Sequence, residues 1–248
     1  MNDNMFNLEG KVALVTGGSR GLGREMVLAF ARAGADVVIT SRKIDACEAV
    51  AREVEALGRK ALPVACHVGK WSDLDALVDA AYETFGKVDI LVNNAGMSPV
   101  APSSAETTEE LFDKVIGVNF KGPFRLSARI GERMAAGDGG SIINVSSSGA
   151  IFPAPKFGPY AGAKAALNAL TGVFAREFGP TVRVNTISAG PFLTDISEAW
   201  PEESRQSTRS AVGRPGRPEE IVTTALYLAS PASSYTTSSL VRVDGGLY

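Results

Sequence analysis

Seven short apolar runs recur along the chain, each separated from the next by a stretch of helical pattern. They are Val12-Ala-Leu-Val-Thr16 and the segments 35–40, 61–66, 88–92, 141–145, 182–187 and 240–243. A strand with one wet face alternates apolar and polar residues, whereas a strand buried on both faces is apolar throughout. The intervening patterns cover 20–33, 45–57 and 72–85, a long helix opening near Thr108, a helix holding Tyr160, and 218–228. Such alternation predicts an α/β fold, a parallel sheet with helices on both faces. No internal repeat, low-complexity tract or linker divides the chain, so residues 1–248 read as a single domain.

Composition removes several function classes. Charged residues make up 21% and the formal net charge is −2, which offers no general attraction for nucleic acid or acidic membranes. No apolar run approaches the ~18 residues of a membrane span. The first eleven residues hold neither a basic segment nor an apolar one, so a cytoplasmic protein is expected. Cys47 and Cys66 stand in no motif and read as reduced packing residues. One His and two Cys do not make a zinc-ligand set, and no metal is expected.

Thr16-Gly-Gly-Ser-Arg-Gly-Leu-Gly23 lies between the first strand and the first helix. Glycines there let the backbone turn sharply and approach a pyrophosphate, whose charge the helix N-terminus stabilises. The Gly-Lys-Ser/Thr ending of a triphosphate-binding loop is missing, which leaves a dinucleotide as the better ligand. An NAD site usually carries Asp or Glu at the end of the second strand, about 20 residues on. Here the chain reads Thr40-Ser41-Arg42-Lys43. With no carboxylate to repel a 2′-phosphate, and with Arg42 and Arg20 able to grip one, NADP(H) is favoured.

Tyr160 and Lys164 are four apart at the start of an alanine-rich helical run, so both project from one face. The spacing alone is common on surface helices. It gains meaning from Ser147, which follows the apolar run Ile142 to Val145 and so sits at a strand's carboxyl end, where ligands bind in open α/β sheets. A free phenol titrates near 10, and a drop of ~2–3 requires roughly 3–4 kcal/mol, within reach of a buried ammonium and a cationic cofactor ring together. A phenol so tuned can pass a proton near neutral pH.

Taken together, these motifs identify the sequence as a member of the short-chain dehydrogenase/reductase family, over essentially its whole length. The carriers are Thr16-Gly17-x-x-x-Gly21-x-Gly23, Asn93-Asn94-Ala95-Gly96, Asn119, Ser147, Tyr160-x-x-x-Lys164 and Val243-Asp244-Gly245-Gly246. The resemblance implies a Rossmann domain with a doubly wound seven-stranded parallel sheet, commonly a homotetramer, exchanging hydride between NADP(H) and a ketone or secondary alcohol. It implies that Ser147 binds the carbonyl oxygen and that Tyr160 donates the proton. Lys164 would hold the nicotinamide ribose and lower the Tyr160 pKa, while Asn119 orders a water feeding the lysine. Cofactor contacts are implied at Gly17, Ser19, Arg20, Gly21, Leu22, Gly23, Ser41, Arg42, His67, Val68, Asn94, Ala95, Gly96, Tyr160 and Lys164. The Phe192 backbone and the Thr194 hydroxyl would hold the carboxamide.

Three departures from the family pattern stand out. His67-Val68 occupies the position of an Asp-Val pair whose Asp meets the adenine amino group. Ala189-Gly190 replaces Pro-Gly, and Thr237-Ser238 replaces Thr-Gly. Substrate contacts are expected from 97–100, 149–157 and the variable segment 192–214, with Phe152, Phe157, Phe192 and Trp200 making a partly apolar pocket around a small-molecule carbonyl or alcohol. Arg125, Arg129 and Arg133 share one helix face. They would either dock an acidic acyl carrier protein, as in the 3-oxoacyl-carrier-protein reductases of this family, or form salt bridges at an exposed or subunit face. A non-catalytic NADP(H) sensor is the remaining alternative, and the complete Asn119, Ser147, Tyr160 and Lys164 set argues against it.

Overall fold

The computed structural model describes residues 5–248. Its seven strands are β1 (Val12–Thr16), β2 (Asp36–Ser41), β3 (Ala61–Ala65), β4 (Ile90–Asn93), β5 (Gly140–Ser147), β6 (Val182–Ala189) and β7 (Leu240–Val243). They form one sheet in the order β3-β2-β1-β4-β5-β6-β7, and every neighbouring pair is parallel. The helices are α1 (Gly21–Arg32), α2 (Ile44–Ala56), α3 (Trp71–Phe85), α4 (Glu109–Ile116), α5 (Gly122–Ala135), α6 (Gly158–Glu177), α7 (Glu202–Gln206) and α8 (Val222–Ala229).

The strands alternate between two cores, as a pleated strand must. Ala13, Val15, Val37 and Ile39 pack with Met26 and Phe30 of α1, Val50 and Val54 of α2, and Leu228 of α8. Val12, Leu14 and Val38 face the other way, onto Leu74 and Leu77 of α3, Leu126 and Ile130 of α5, and Phe174 of α6. Burial on both faces is why apolar residues follow one another without alternation through Val12–Val15 and Val37–Ile39. The chain winds outward from β1 to β3, then returns to place β4 on the far side of β1. Adjacent loops at the ends of β1 and β4 therefore diverge and leave a crevice, the place where open α/β sheets bind ligands.

Three boundaries differ from the sequence reading. β4 opens at Ile90 rather than 88, because the buried Asp89 carboxylate accepts from the Val12 amide at 2.9 Å and pairs with Lys11 and Lys87 instead of continuing an apolar run. β5 and β6 both run on through polar residues, pairing as far as Ser147 and Ala189. The long helix from Thr108 is two helices joined by a π turn, Gly117–Lys121. Pro123 has no N–H to give the carbonyl four residues back, which is that of Asn119, and the widened turn falls there. Gly122 is also packed too closely for a side chain, since a Cβ would stand 2.2 Å from the Val68 carbonyl oxygen.

Candidate active site

The loop between β1 and α1 is built for close approach. Gly17 has φ +64°, and a Cβ on it would lie 2.9 Å from Asn94 Nδ2. A Cβ on Gly23 would lie 2.2 Å from the Gly17 carbonyl oxygen. The loop is tied to the end of β4 by Thr16, whose Oγ1 accepts from the Asn94 and Ala95 amides, each at 3.0 Å. Asn94 Nδ2 returns a bond to the Thr16 carbonyl at 2.8 Å. Arg20 begins α1 without a side-chain cap, and the first turn holds no acid. The free N–H groups and positive end of α1 thus face the crevice and suit a phosphate.

A cleft of about 980 Å³ runs from this loop in both directions along the strand ends. Toward β5 it is lined by Ser147, Tyr160 and Lys164. The extension of β5 carries Ser147 on the strand itself, and α6 packs beside it. Ser147 Oγ accepts from the Gly149 amide at 3.0 Å and lines the cleft together with Tyr160. Lys164 is 4% exposed, donates to the Val145 carbonyl at 2.7 Å, and lies 5.9 Å from the centre of the Tyr160 ring. Burial pulls its ammonium down to about 8. Burial also raises the phenol above its ordinary value, opposed by Ser147. The depressed phenol pKa expected from the Tyr-Lys spacing is therefore not built into the chain alone.

A family model described as Enoyl-(Acyl carrier protein) reductase matches residues 17–248. The short chain dehydrogenase/reductase astE of Aspergillus oryzae is 38% identical over 255 residues, covering 99% of this chain and 98% of that one. The chain belongs to the short-chain dehydrogenase/reductase family. The 3-oxoacyl-[acyl-carrier-protein] reductase FabG of Thermotoga maritima is 36% identical, covering 98% of this chain and 99% of that one. A solved 7α-hydroxysteroid dehydrogenase, complexed with NADH and 7-oxo glycochenodeoxycholic acid, superposes with a TM-score of 0.94 at 34% identity, covering 99% and 97% of the two chains.

In this short-chain dehydrogenase/reductase the residues expected at the cofactor are gathered along the cleft. Gly17, Ser19, Arg20, Gly21 and Leu22 line its middle, with Asn94, Ala95 and Gly96 opposite. Ser41, Arg42, His67 and Val68 line the β2–β3 end, and Phe192 and Thr194 the other. Gly23 is buried behind the loop. Phe192 packs its ring on Gly216, where a Cβ would stand 2.6 Å from the ring, and only its backbone is free to serve a ligand.

Arg20 lines the cleft, and its exposed guanidinium also reaches Asp195 of the variable segment at 3.3 Å. The Asn119 side chain is held by backbone: Oδ1 accepts from the Met97 amide at 3.2 Å, and Nδ2 donates to the carbonyls of Met97 (2.9 Å) and Val115 (3.0 Å). Asn119 thereby clamps the 97–100 loop to the π turn, and it remains next to Lys164 across Gly96. Thr16, which the sequence reading placed in the glycine motif without a role of its own, is a positioning residue. Its signal was a lone polar side chain at the end of an otherwise apolar strand.

The arginine stripe on α5 forms salt bridges within the chain. Arg125 forms a two-pronged pair with Asp75 (2.9 and 2.7 Å) over the Trp71 ring, and Arg129 approaches the same carboxylate at 3.7 Å. Arg133 pairs with Asp79 at 3.2 Å and covers Tyr82. All three pair with acids of α3 in the same chain. Among the substrate aromatics, Phe152, Phe157 and Trp200 line the cleft beside Tyr160. Cys47 and Cys66 are buried and free, and burial pushes the Cys66 thiol up to about 12. No described helix is long and apolar enough to cross a membrane.

Proposed function

We propose that this protein transfers hydride between NADP(H) and a ketone or secondary alcohol, with Tyr160 as the general acid and base. The observation that carries the reading is the single cleft with a phosphate-sized glycine cradle at its middle and the Ser147–Tyr160–Lys164 group at one end. When bound, the nicotinamide supplies the hydride. The chain's own part is to hold and protonate the oxygen. Ser147, with its Oγ already accepting from Gly149, can turn its own proton toward a carbonyl oxygen beside the phenol. Tyr160 then gives up the proton that makes the alcohol, and the buried Lys164 ammonium supports the phenolate that results. Two hydroxyls lining the same cleft, those of Ser147 and Tyr160, suit a carbonyl oxygen, and Phe152, Phe157 and Trp200 suit a substrate with an apolar body. The segment 192–214 would supply its variable wall.

NADP(H) is preferred in this reading because Arg42 is exposed at the cleft's far end and has no ion pair among the described residues, with Lys43 next to it and no carboxylate lining that end. Arg42→Ala is expected to raise KM for NADPH by about tenfold or more, the loss of a charge-assisted hydrogen bond, with little change for NADH. Steady-state kinetics with the two cofactors decides it, and a wild type that prefers NADH would reverse the assignment. The activity itself is tested by following NADPH oxidation at 340 nm with a panel of ketones, and NADP⁺ reduction with the matching alcohols and diols. Tight NADPH binding with no turnover of any of them would favour the sensor instead.

A further inference from the structure

The topology fixes which end of the cleft takes which end of a dinucleotide. The glycine cradle follows β1 and holds the pyrophosphate, and the reactive ring must lie toward Tyr160, on the β5 side. The purine base is left the opposite end, beyond β2 and β3, where Ser41, Arg42, Ala46, Cys66, His67 and Val68 line the wall. Among these, the side chains able to hydrogen-bond a base edge are chiefly donors, and none is a carboxylate.

His67 sets the chemistry of that end. Its backbone amide donates to Asp73 Oδ2 at 3.1 Å, which holds the residue at the mouth of the loop between β3 and α3. Its Nδ1 accepts from the Gly69 amide at 3.2 Å. A ring nitrogen that accepts carries no proton, so the neutral ring bears its hydrogen on Nε2. Turning the ring over would set a C–H against the Gly69 amide and leave that amide unpaired. The half-buried imidazole therefore offers a ligand a donor and no acceptor.

A purine edge answers such a donor with an acceptor. Adenine has a 6-amino group, itself a donor, between the acceptor nitrogens N1 and N7; a 6-oxopurine places a carbonyl oxygen where the amino group stands, carries a proton on N1 and keeps N7 as an acceptor. Resting on the NADP(H) reading above, we infer that His67 reads the cofactor base as a hydrogen-bond donor, so that this site admits a 6-oxopurine dinucleotide at least as well as the adenine one. His67 is on this view a specificity residue for the base and takes no part in the hydride step.

The test compares NADPH with reduced nicotinamide hypoxanthine dinucleotide phosphate by fluorescence titration and by kcat/KM. For the wild type, the two cofactors are expected to bind within about threefold of each other, the size of one ordinary hydrogen bond or less. His67→Asp, which turns the donor into a charged acceptor, is expected to shift the ratio by about tenfold or more toward NADPH. His67→Ala, which keeps no polar group, is expected to weaken the hypoxanthine cofactor more than NADPH. A wild type that prefers NADPH tenfold would overturn the inference. So would a wild-type ratio near one that neither substitution moves, since another group would then read the base. Failure of both dinucleotides to bind would instead remove the NADP(H) reading itself, and this inference with it.

Discussion

Tyr160→Phe is expected to lower kcat by about 10²–10⁴-fold, the usual contribution of a positioned general acid, while leaving the Kd for NADPH nearly unchanged. The ring stays in place against α6 and the cleft keeps its shape; only the transferable proton is gone. The pH dependence should carry the same signature. Burial raises the Tyr160 phenol in the cofactor-free chain, which favours the neutral, proton-giving form at neutral pH, and the cationic ring of the oxidised cofactor would favour the phenolate that oxidation needs. Ketone reduction should be flat across neutral pH and fall only as the phenol ionises at high pH. Alcohol oxidation needs the phenolate, and its kcat/KM should climb with pH, by up to about tenfold per unit below the phenol pKa. Initial rates in both directions between pH 6 and 10 measure this. Equal pH profiles in the two directions, or substantial activity in Tyr160→Phe, would mean another group supplies the proton.

The second large effect concerns stability. Lys164 is charged in the unfolded chain up to its ordinary 10.5, but in the fold only up to about 8, because burial disfavours the ammonium. Between those values the unfolded chain binds the extra proton, so stability rises with pH through that window. Below pH 8 the penalty is present in full, on the order of 3 kcal/mol. Lys164→Met should therefore raise Tm at pH 7 by several degrees, at about 2–4 °C per kcal/mol for a chain of this size. The gain should shrink toward zero as pH approaches 10.5, and turnover should be lost. Thermal unfolding of both proteins without cofactor, at pH 7 and at pH 10, gives the comparison. A variant less stable than wild type at pH 7 would mean that the bond to the Val145 carbonyl outweighs the burial of the charge. A stabilised, inactive variant would show a group held at a cost to the fold because the chemistry needs it.

Much of the architecture was legible because burial on both faces leaves an unmistakable pattern: apolar runs of strand length between amphipathic helices. The site was legible where a motif encodes backbone geometry, as at Gly17 and Gly23, or a helical spacing, as at Tyr160 and Lys164. What escaped was set by partners distant in sequence. Ser146, Ser147 and Ser188 are polar, so nothing local marked them as strand, and only their eight-residue pairing across β5 and β6 keeps them there. The π turn at Asn119 follows from Pro123 and from the close pass of Val68. The Arg20–Asp195 pair joins residues 175 apart in sequence. The arginine stripe gave its own spacing plainly enough, but the acids that occupy it lie on α3, some 50 residues earlier.

The central claim is that the Tyr160 hydroxyl stands beside the reactive carbon of a nicotinamide ring and passes the proton there. A crystal structure of the protein with NADP⁺ bound tests it most directly. The account predicts the pyrophosphate on the β1–α1 loop, with the nicotinamide ring under Tyr160 and the hydroxyls of Tyr160 and Ser147 facing one point above its reactive carbon. A ring bound elsewhere, or a Tyr160 hydroxyl turned away from it in every conformer, would contradict the account.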